Sequence, residues 1–204
     1  SGTLGQGVSK IYLDKENASS QTKVLTKIVS SVLGNKRLPM LIIDSQSIIK
    51  DRKLFTARGA GIIGFSIFGK DVTYALDENM ELDFEKIKSF ILRHKNEKIF
   101  IFGFTFIIWK YFVKYIHNNN LKLPRINGVL IHGGGWKKLA GEEIDNIQFK
   151  ENVFDVCGVN NVINYYGMVE QTGSIFLECS EGFLHCSIFS DIITRRNEET
   201  NHIF

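Results

Sequence analysis

Short apolar runs recur along the chain, and a segment with helical spacing follows nearly every one of them. Pro39-Met-Leu-Ile-Ile-Asp44, Lys98–Phe102, Val129–His132 and Val162–Tyr165 are apolar on successive residues. A strand with one wet face alternates, whereas a strand apolar on both faces belongs to a parallel sheet covered by helices on either side. After a strand at Val8–Leu13, a helix of about 16 residues places Val24, Leu25, Ile28, Val29, Val32 and Leu33 on one face. Val72–Leu76 adds another strand. Asp83 caps a helix that buries Phe84, Ile87 and Ile91, Thr105 opens a further one, and a fourth covers Gln148–Val156. The last segment, Ile175–Arg196, reads as strand-rich, with turns near Glu181-Gly182 and Ser190. This alternation predicts an α/β fold, a layered αβα domain around a largely parallel sheet. No repeat, low-complexity tract or linker interrupts the 204 residues. That length suits one ordinary domain or a large part of a bigger one.

Charge and composition remove several functional classes. Twenty-five basic residues stand against 22 acidic ones, a formal net charge of +3. The clusters Lys50/Arg52/Lys53 and Arg195/Arg196 are too short for a nucleic-acid stripe, so no nucleic-acid partner is expected. The most apolar stretch, Ile99–Ile116, is interrupted by Gly103-Phe-Thr105, Lys110 and Lys114, which argues against a membrane span. Cys157, Cys179 and Cys186 form no C-x-x-C pair. They suggest a reducing compartment, no zinc site and thiols that serve as buried hydrophobes. With no charged and apolar leader visible in these residues, a cytoplasmic location is expected.

Three glycine-rich stretches compete for a function. The first is SGTLGQGVSK, where Ser1, Gly2, Thr3, Gly5 and Lys10 could cradle phosphate through backbone amides and hydroxyls. Gly2 and Gly7 have the spacing of a P-loop, but Val8 and Ser9 occupy its lysine and hydroxyl places, and a strand follows where a helix should. A polar hairpin turn explains the same residues equally well. The second, Gly59-Ala-Gly61-Ile-Ile-Gly64, is a literal G-x-G-x-x-G. The charged segment before it and the short β-branched one after it oppose a dinucleotide site, and it reads as a structural turn. The third is the pair His132-Gly-Gly-Gly-Trp-Lys137 and Asn164-Tyr-Tyr-Gly-Met-Val-Glu-Gln-Thr-Gly173. Each follows an apolar strand, and ligands bind at that edge of open α/β sheets. Gly133, Gly134 and Gly135 admit a flat ring, Tyr165 or Tyr166 can stack on it, and Glu170 offers a hard oxygen to Mg²⁺. Taken singly, Tyr166 reads as a core aromatic and Glu170 as a solvated loop carboxylate.

Together the pieces resemble, in order, the adenylate-forming enzymes: acyl-CoA synthetases, luciferases and peptide-synthetase adenylation domains. SGTLGQGVSKIYLD, FTARGAGIIGFS, FGFTFIIW, HGGGWKKL and NYYGMVEQTGSIF are closest to the bioluminescence acyl-protein synthetases, the lux fatty-acid-activating ligases. That resemblance implies ATP and Mg²⁺ as cofactors, a fatty or other carboxylic acid as substrate, and an acyl reductase as partner. It implies that Ser1, Gly2, Thr3, Gly5 and Lys10 hold the β- and γ-phosphates. Gly133–Gly135, Tyr166 and Gly167 would hold the adenosine end, and Glu170 the Mg²⁺, with Glu170 and Lys10 as the catalytic pair. Leu4 replaces a threonine usual in the phosphate loop. Val169 stands where most of these enzymes place a threonine against the α-phosphate, leaving Thr172 or a backbone group to take that role.

The resemblance further implies that residues 1–204 are a partial adenylation domain, an internal piece of the large N-terminal domain. The small C-terminal domain and the acyl-accepting cysteine would then lie outside it, and the piece alone would be inactive. Two alternatives stay open: a CoA ligase similar to phenylacetate-CoA ligases, and a non-catalytic relative that binds nucleotide or a partner.

Overall fold

The computed structural model describes residues 14–50, 57–135, 141, 144–168 and 171–193. The strand expected at Val8–Leu13 lies outside them, as do Arg195 and Arg196. The first helix, α1 (Lys15–Leu33), starts at Asp14, whose carboxylate accepts from the Asn17 amide at 2.7 Å. Its apolar stripe buries Leu25, Ile28, Val29 and Leu33. Next come β1 (Leu38–Ser45), the short α2 (Ser47–Lys50), α3 (Ala57–Ser66) and β2 (Gly69–Leu76). Asp83 caps α4 (Phe84–Arg93) through the Lys86 amide, a contact of the kind that contributes ~1 kcal/mol. β3 (Ile99–Phe104) runs into α5 (Thr105–Ile107), which widens into a π-helical turn at Ile108–Val113 and continues as α6 (Lys114–Asn118). β4 (Gly128–Gly133), α7 (Asn146–Cys157), β5 (Asn161–Met168), β6 (Gln171–Glu178) and β7 (Leu184–His185) complete the order.

The strands form one seven-stranded sheet in the order β2-β1-β3-β4-β5-β6-β7. The first five are parallel and the last two antiparallel. The α/β expectation is therefore met, with an antiparallel margin at one edge. β7 spans only two residues, and residues 186–193 carry no regular element, so the strand-rich end is shorter than expected.

Successive strand residues point to opposite faces, and both faces are apolar. Leu41, Ile43, Ile99, Ile101 and Leu130 pack beneath α4, the π-turn and α7. Met40, Ile42, Phe100, Phe102, Val129 and Ile131 pack beneath α1 and α3. That double burial is why these runs read as continuous in sequence.

The glycine-rich segment Gly59–Gly64 is not a turn. It lies within the helix α3. Of the β-branched residues that argued against a helix, Ile62 joins Phe65 on its buried face under the sheet, while Ile63 is exposed. Tertiary burial outweighs the low intrinsic propensity of such a segment.

Candidate functional site

A cavity of about 470 Å³ opens at the carboxyl ends of β3, β4 and β5, between them and α3. Its lining includes Ala57, Ala60, Gly61 and Gly64 from α3, Phe104 at the end of β3, Gly134 and Gly135 beyond β4, and Asn164–Met168 of β5. Three glycines in a ten-residue helix each cost ~1 kcal/mol relative to alanine, so the missing side chains need a reason. At Gly61 the reason is close approach: an added Cβ would sit 3.0 Å from the Phe104 ring and 3.5 Å from the Tyr165 hydroxyl. At Gly64 it is space, for nothing lies within 4 Å of an added Cβ.

The helix itself is anchored by charge. Asp44, fully buried at the carboxyl end of β1, pairs with Arg58 Nε at 3.0 Å and accepts from the Ser45 amide at 2.7 Å. Burial raises the Asp44 carboxyl above its ordinary range, while Arg58 and the Ser45 amide pull it back. The pair fixes the first turn of α3 against the strand ends.

The two adjacent tyrosines part company across β5. Tyr165 is packed against Phe65, ring centroids 5.0 Å apart, and burial pushes its phenol up to about 12. It therefore serves as an uncharged ring and hydroxyl and not as a base. Its ring covers Gly133, where any Cβ would run into it. Tyr166 faces the other way and is 53% exposed, an accessible ring at the cavity wall and not a core aromatic.

Behind the glycine turn, Thr105 and His132 are both fully buried. Thr105 Oγ1 lies 2.9 Å from His132 Nδ1 and 3.1 and 3.2 Å from the carbonyl oxygens of Gly133 and Gly134. Desolvation, and secondarily the Lys150 charge, lowers His132 to about 3, so the imidazole is neutral at any ordinary pH. On the far side of β5, Glu178 receives Lys150 Nζ at 2.7 Å, the Asn146 side chain at 2.5 Å and the Asn164 amide at 2.9 Å. That buried carboxylate ties α7 and β6 to the strand that carries both tyrosines.

Of the residues expected from sequence, Gly134, Gly135, Tyr166 and Gly167 meet around the one cavity. Gly133 sits behind it under the Tyr165 ring. Ser1, Gly2, Thr3, Gly5, Lys10 and Glu170 lie outside the described residues, as does the Thr172 side chain. Among the described residues no cluster of three His, Cys, Asp or Glu could hold a metal ion, and no helix is long and apolar enough to cross a membrane. Sequence reasoning missed Gly61, Gly64, Phe104, Asn164, Asp44, Arg58 and Glu178. Gly61 and Gly64 carried a usable signal, two glycines one helical turn apart. The reading of cysteines as buried hydrophobes holds for Cys157, whose thiol burial pushes up to about 12, and fails for the exposed Cys186.

The family model for acyl-protein synthetase, LuxE, matches residues 1–203. No curated protein and no solved structure matches the chain.

Proposed function

The chain belongs to the LuxE acyl-protein synthetase family, and from that premise we propose that it activates a long-chain fatty acid with ATP. A carboxylate oxygen attacks the α-phosphorus of ATP and pyrophosphate leaves. A thiolate of the full-length protein then attacks the acyl carbonyl carbon, AMP leaves, and the thioester is delivered to a partner reductase. The observation that carries this reading is the apolar cavity at the carboxyl ends of three parallel strands, walled by a helix from which two side chains are missing. Its volume falls within the usual ~300–1,000 Å³ range of small-molecule sites, and its walls suit an alkyl chain.

The exposed Tyr166 ring and the glycine backbone at Gly134, Gly135 and Gly167 fit a flat base at the cavity wall. Two anions must meet, so positioning and charge neutralisation carry most of the catalysis. Ser1, Gly2, Thr3, Gly5 and Lys10 would hold the β- and γ-phosphates. Glu170 would hold Mg²⁺, which supplies the countercharge for the phosphates. Thr172 or a backbone group would stand beside the α-phosphate.

ATP–pyrophosphate exchange by the full-length protein, measured against carboxylic acids of graded length, tests the reading. Exchange should rise with chain length until the cavity is filled, and Glu170→Gln should lower it by at least ~100-fold, as loss of a charge clamp does. An absence of exchange with every acid would sink the proposal. Labelled acyl groups should appear on protein as a thioester; soluble acyl-CoA instead would favour the CoA-ligase alternative.

A further inference from the structure

The Thr105 hydroxyl has three partners within 3.2 Å but only one proton. The Gly133 and Gly134 carbonyl oxygens can only accept, so that proton serves them. In the tautomer that satisfies all three partners the contact with His132 runs the other way, with Nδ1–H of the neutral ring donating to the hydroxyl oxygen. Imidazole, hydroxyl and two peptide carbonyls form one directed chain of hydrogen bonds. No peptide bond among the described residues is cis. In a trans peptide the amide that follows a carbonyl points the opposite way. With the Gly133 and Gly134 carbonyls held toward Thr105, the amides of Gly134 and Gly135 face away from it: the pairing of Gly133 with Tyr165 turns the first toward the Tyr165 carbonyl, and the second stands at a residue that lines the cavity. Gly134 has φ +92°, a conformation glycine alone adopts without strain.

We propose that Thr105 and His132 are positioning residues, which fix these two peptide planes so that the Gly135 amide donates to a carboxylate oxygen of the bound acid. The inference rests on the acid-activating reading and adds the device that orients the reacting group while the cavity holds the chain. The burial that keeps His132 neutral also keeps the direction of the chain constant with pH. Neither residue touches substrate. Both act through the turn.

Thr105→Val and Thr105→Ser in the full-length protein separate this from a purely structural role. Ile87→Val, a substitution in the buried face of α4, supplies a destabilised control remote from the turn. Two readouts apply: the ¹⁵N signature of the His132 ring in the unliganded protein, and the kcat–KM split for acid and for ATP in pyrophosphate exchange. The wild type and Thr105→Ser should both carry the proton on Nδ1. Thr105→Ser should keep the KM for acid within about threefold, while Thr105→Val should raise it roughly tenfold, the weight of one hydrogen bond to a charged group. Thr105→Val should also move the imidazole proton off Nδ1, with the KM for ATP much less affected. Thr105→Val kinetics indistinguishable from those of Ile87→Val, or a wild-type ring protonated on Nε2, would overturn the pair's role. A wild type inert toward every acid would instead overturn the reaction itself.

Discussion

The two faces of the sheet are built from the same strands and put to different use. Beneath α4, the π-turn and α7, aliphatic residues interleave with Phe90, Phe112 and Phe149, each at most 2% exposed. Beneath α1 and α3 the strand residues are as apolar, but the covering helix is thinned by Gly61 and Gly64 and the 470 Å³ cavity opens. A second hollow, of about 520 Å³ between Lys27, Ile28, Leu177 and Cys186, lies on this side as well. The difference is one of side-chain volume and not of polarity. A face filled to native packing density holds the fold, and an equally apolar face left underfilled by glycine becomes able to take a ligand.

Four outcomes would sharpen or break that contrast. The largest effect is expected on the filled face. Phe90→Ala should cost ~3–5 kcal/mol of stability, visible as a lowered denaturant midpoint, without altering the acid chain-length profile of the folded protein. A changed profile would mean that the two faces are not separate in function.

Acidification should come next. His132 falls from 6.5 to about 3 on folding, so the folded state binds its proton less readily than the unfolded chain. Its contribution is complete above pH 6.5 and is lost as pH falls from there toward 3, at roughly 1 kcal/mol per pH unit. Asp71 and Glu97, both lowered by the hydrogen bonds they accept, from His94 and Lys70 respectively, lose their contributions only as pH drops through the carboxylate range. Urea unfolding midpoints between pH 7 and 5 lie above the range of those lowered carboxylates, and the raised Asp44 carboxyl, which acts in the opposite sense, is common to the wild type and His132→Gln. His132→Gln should flatten the curve there, and an unchanged slope would contradict the burial argument.

On the underfilled face, Gly64→Val should shift stability by less than ~1 kcal/mol, because a Cβ meets nothing and valine is the better helix former. It should nonetheless penalise the longest acids by tenfold or more in kcat/KM. Displacing even two methylenes forfeits ~0.8 kcal/mol each. A uniform loss across all acids would place the chain elsewhere.

The smallest perturbation is chemical. A thiol reagent should modify Cys186 promptly in the native protein and Cys157 only on unfolding, since Cys157 is buried with its thiol held near 12. Rapid loss of both would mean that the filled face opens readily.

Much of this architecture is legible in the sequence where one physical cause dominates. Pro39–Asp44, Lys98–Phe102 and Val129–His132 read as buried parallel strands because burial on two faces leaves no polar alternation. Asp83 reads as a cap because its carboxylate satisfies an amide that the helix cannot. The meeting of Gly134, Gly135, Tyr166 and Gly167 at the carboxyl edge of the sheet was legible because each follows an apolar parallel strand. The helix α3 was missed because its glycines and β-branched residues disfavour a helix locally, while packing against Phe100 and Phe102 decides the matter. The roles of Asp44, Arg58, Thr105, His132 and Glu178 were illegible for a different reason. Each depends on a partner distant in sequence, 14 residues away for Asp44 and Arg58 and 27 for Thr105 and His132, and no local pattern encodes such pairs.

The central claim, that the glycine-thinned face holds the acyl chain, is tested most directly by photolabelling the full-length protein with a long-chain fatty acid carrying a terminal diazirine, followed by peptide mapping. The label should fall on α3, within Ala57–Ser66, and on the facing residues Phe104 and Asn164–Met168. Unlabelled acid should suppress it. Label concentrated on α4 or α7, or spread over the surface and indifferent to competitor, would contradict the account.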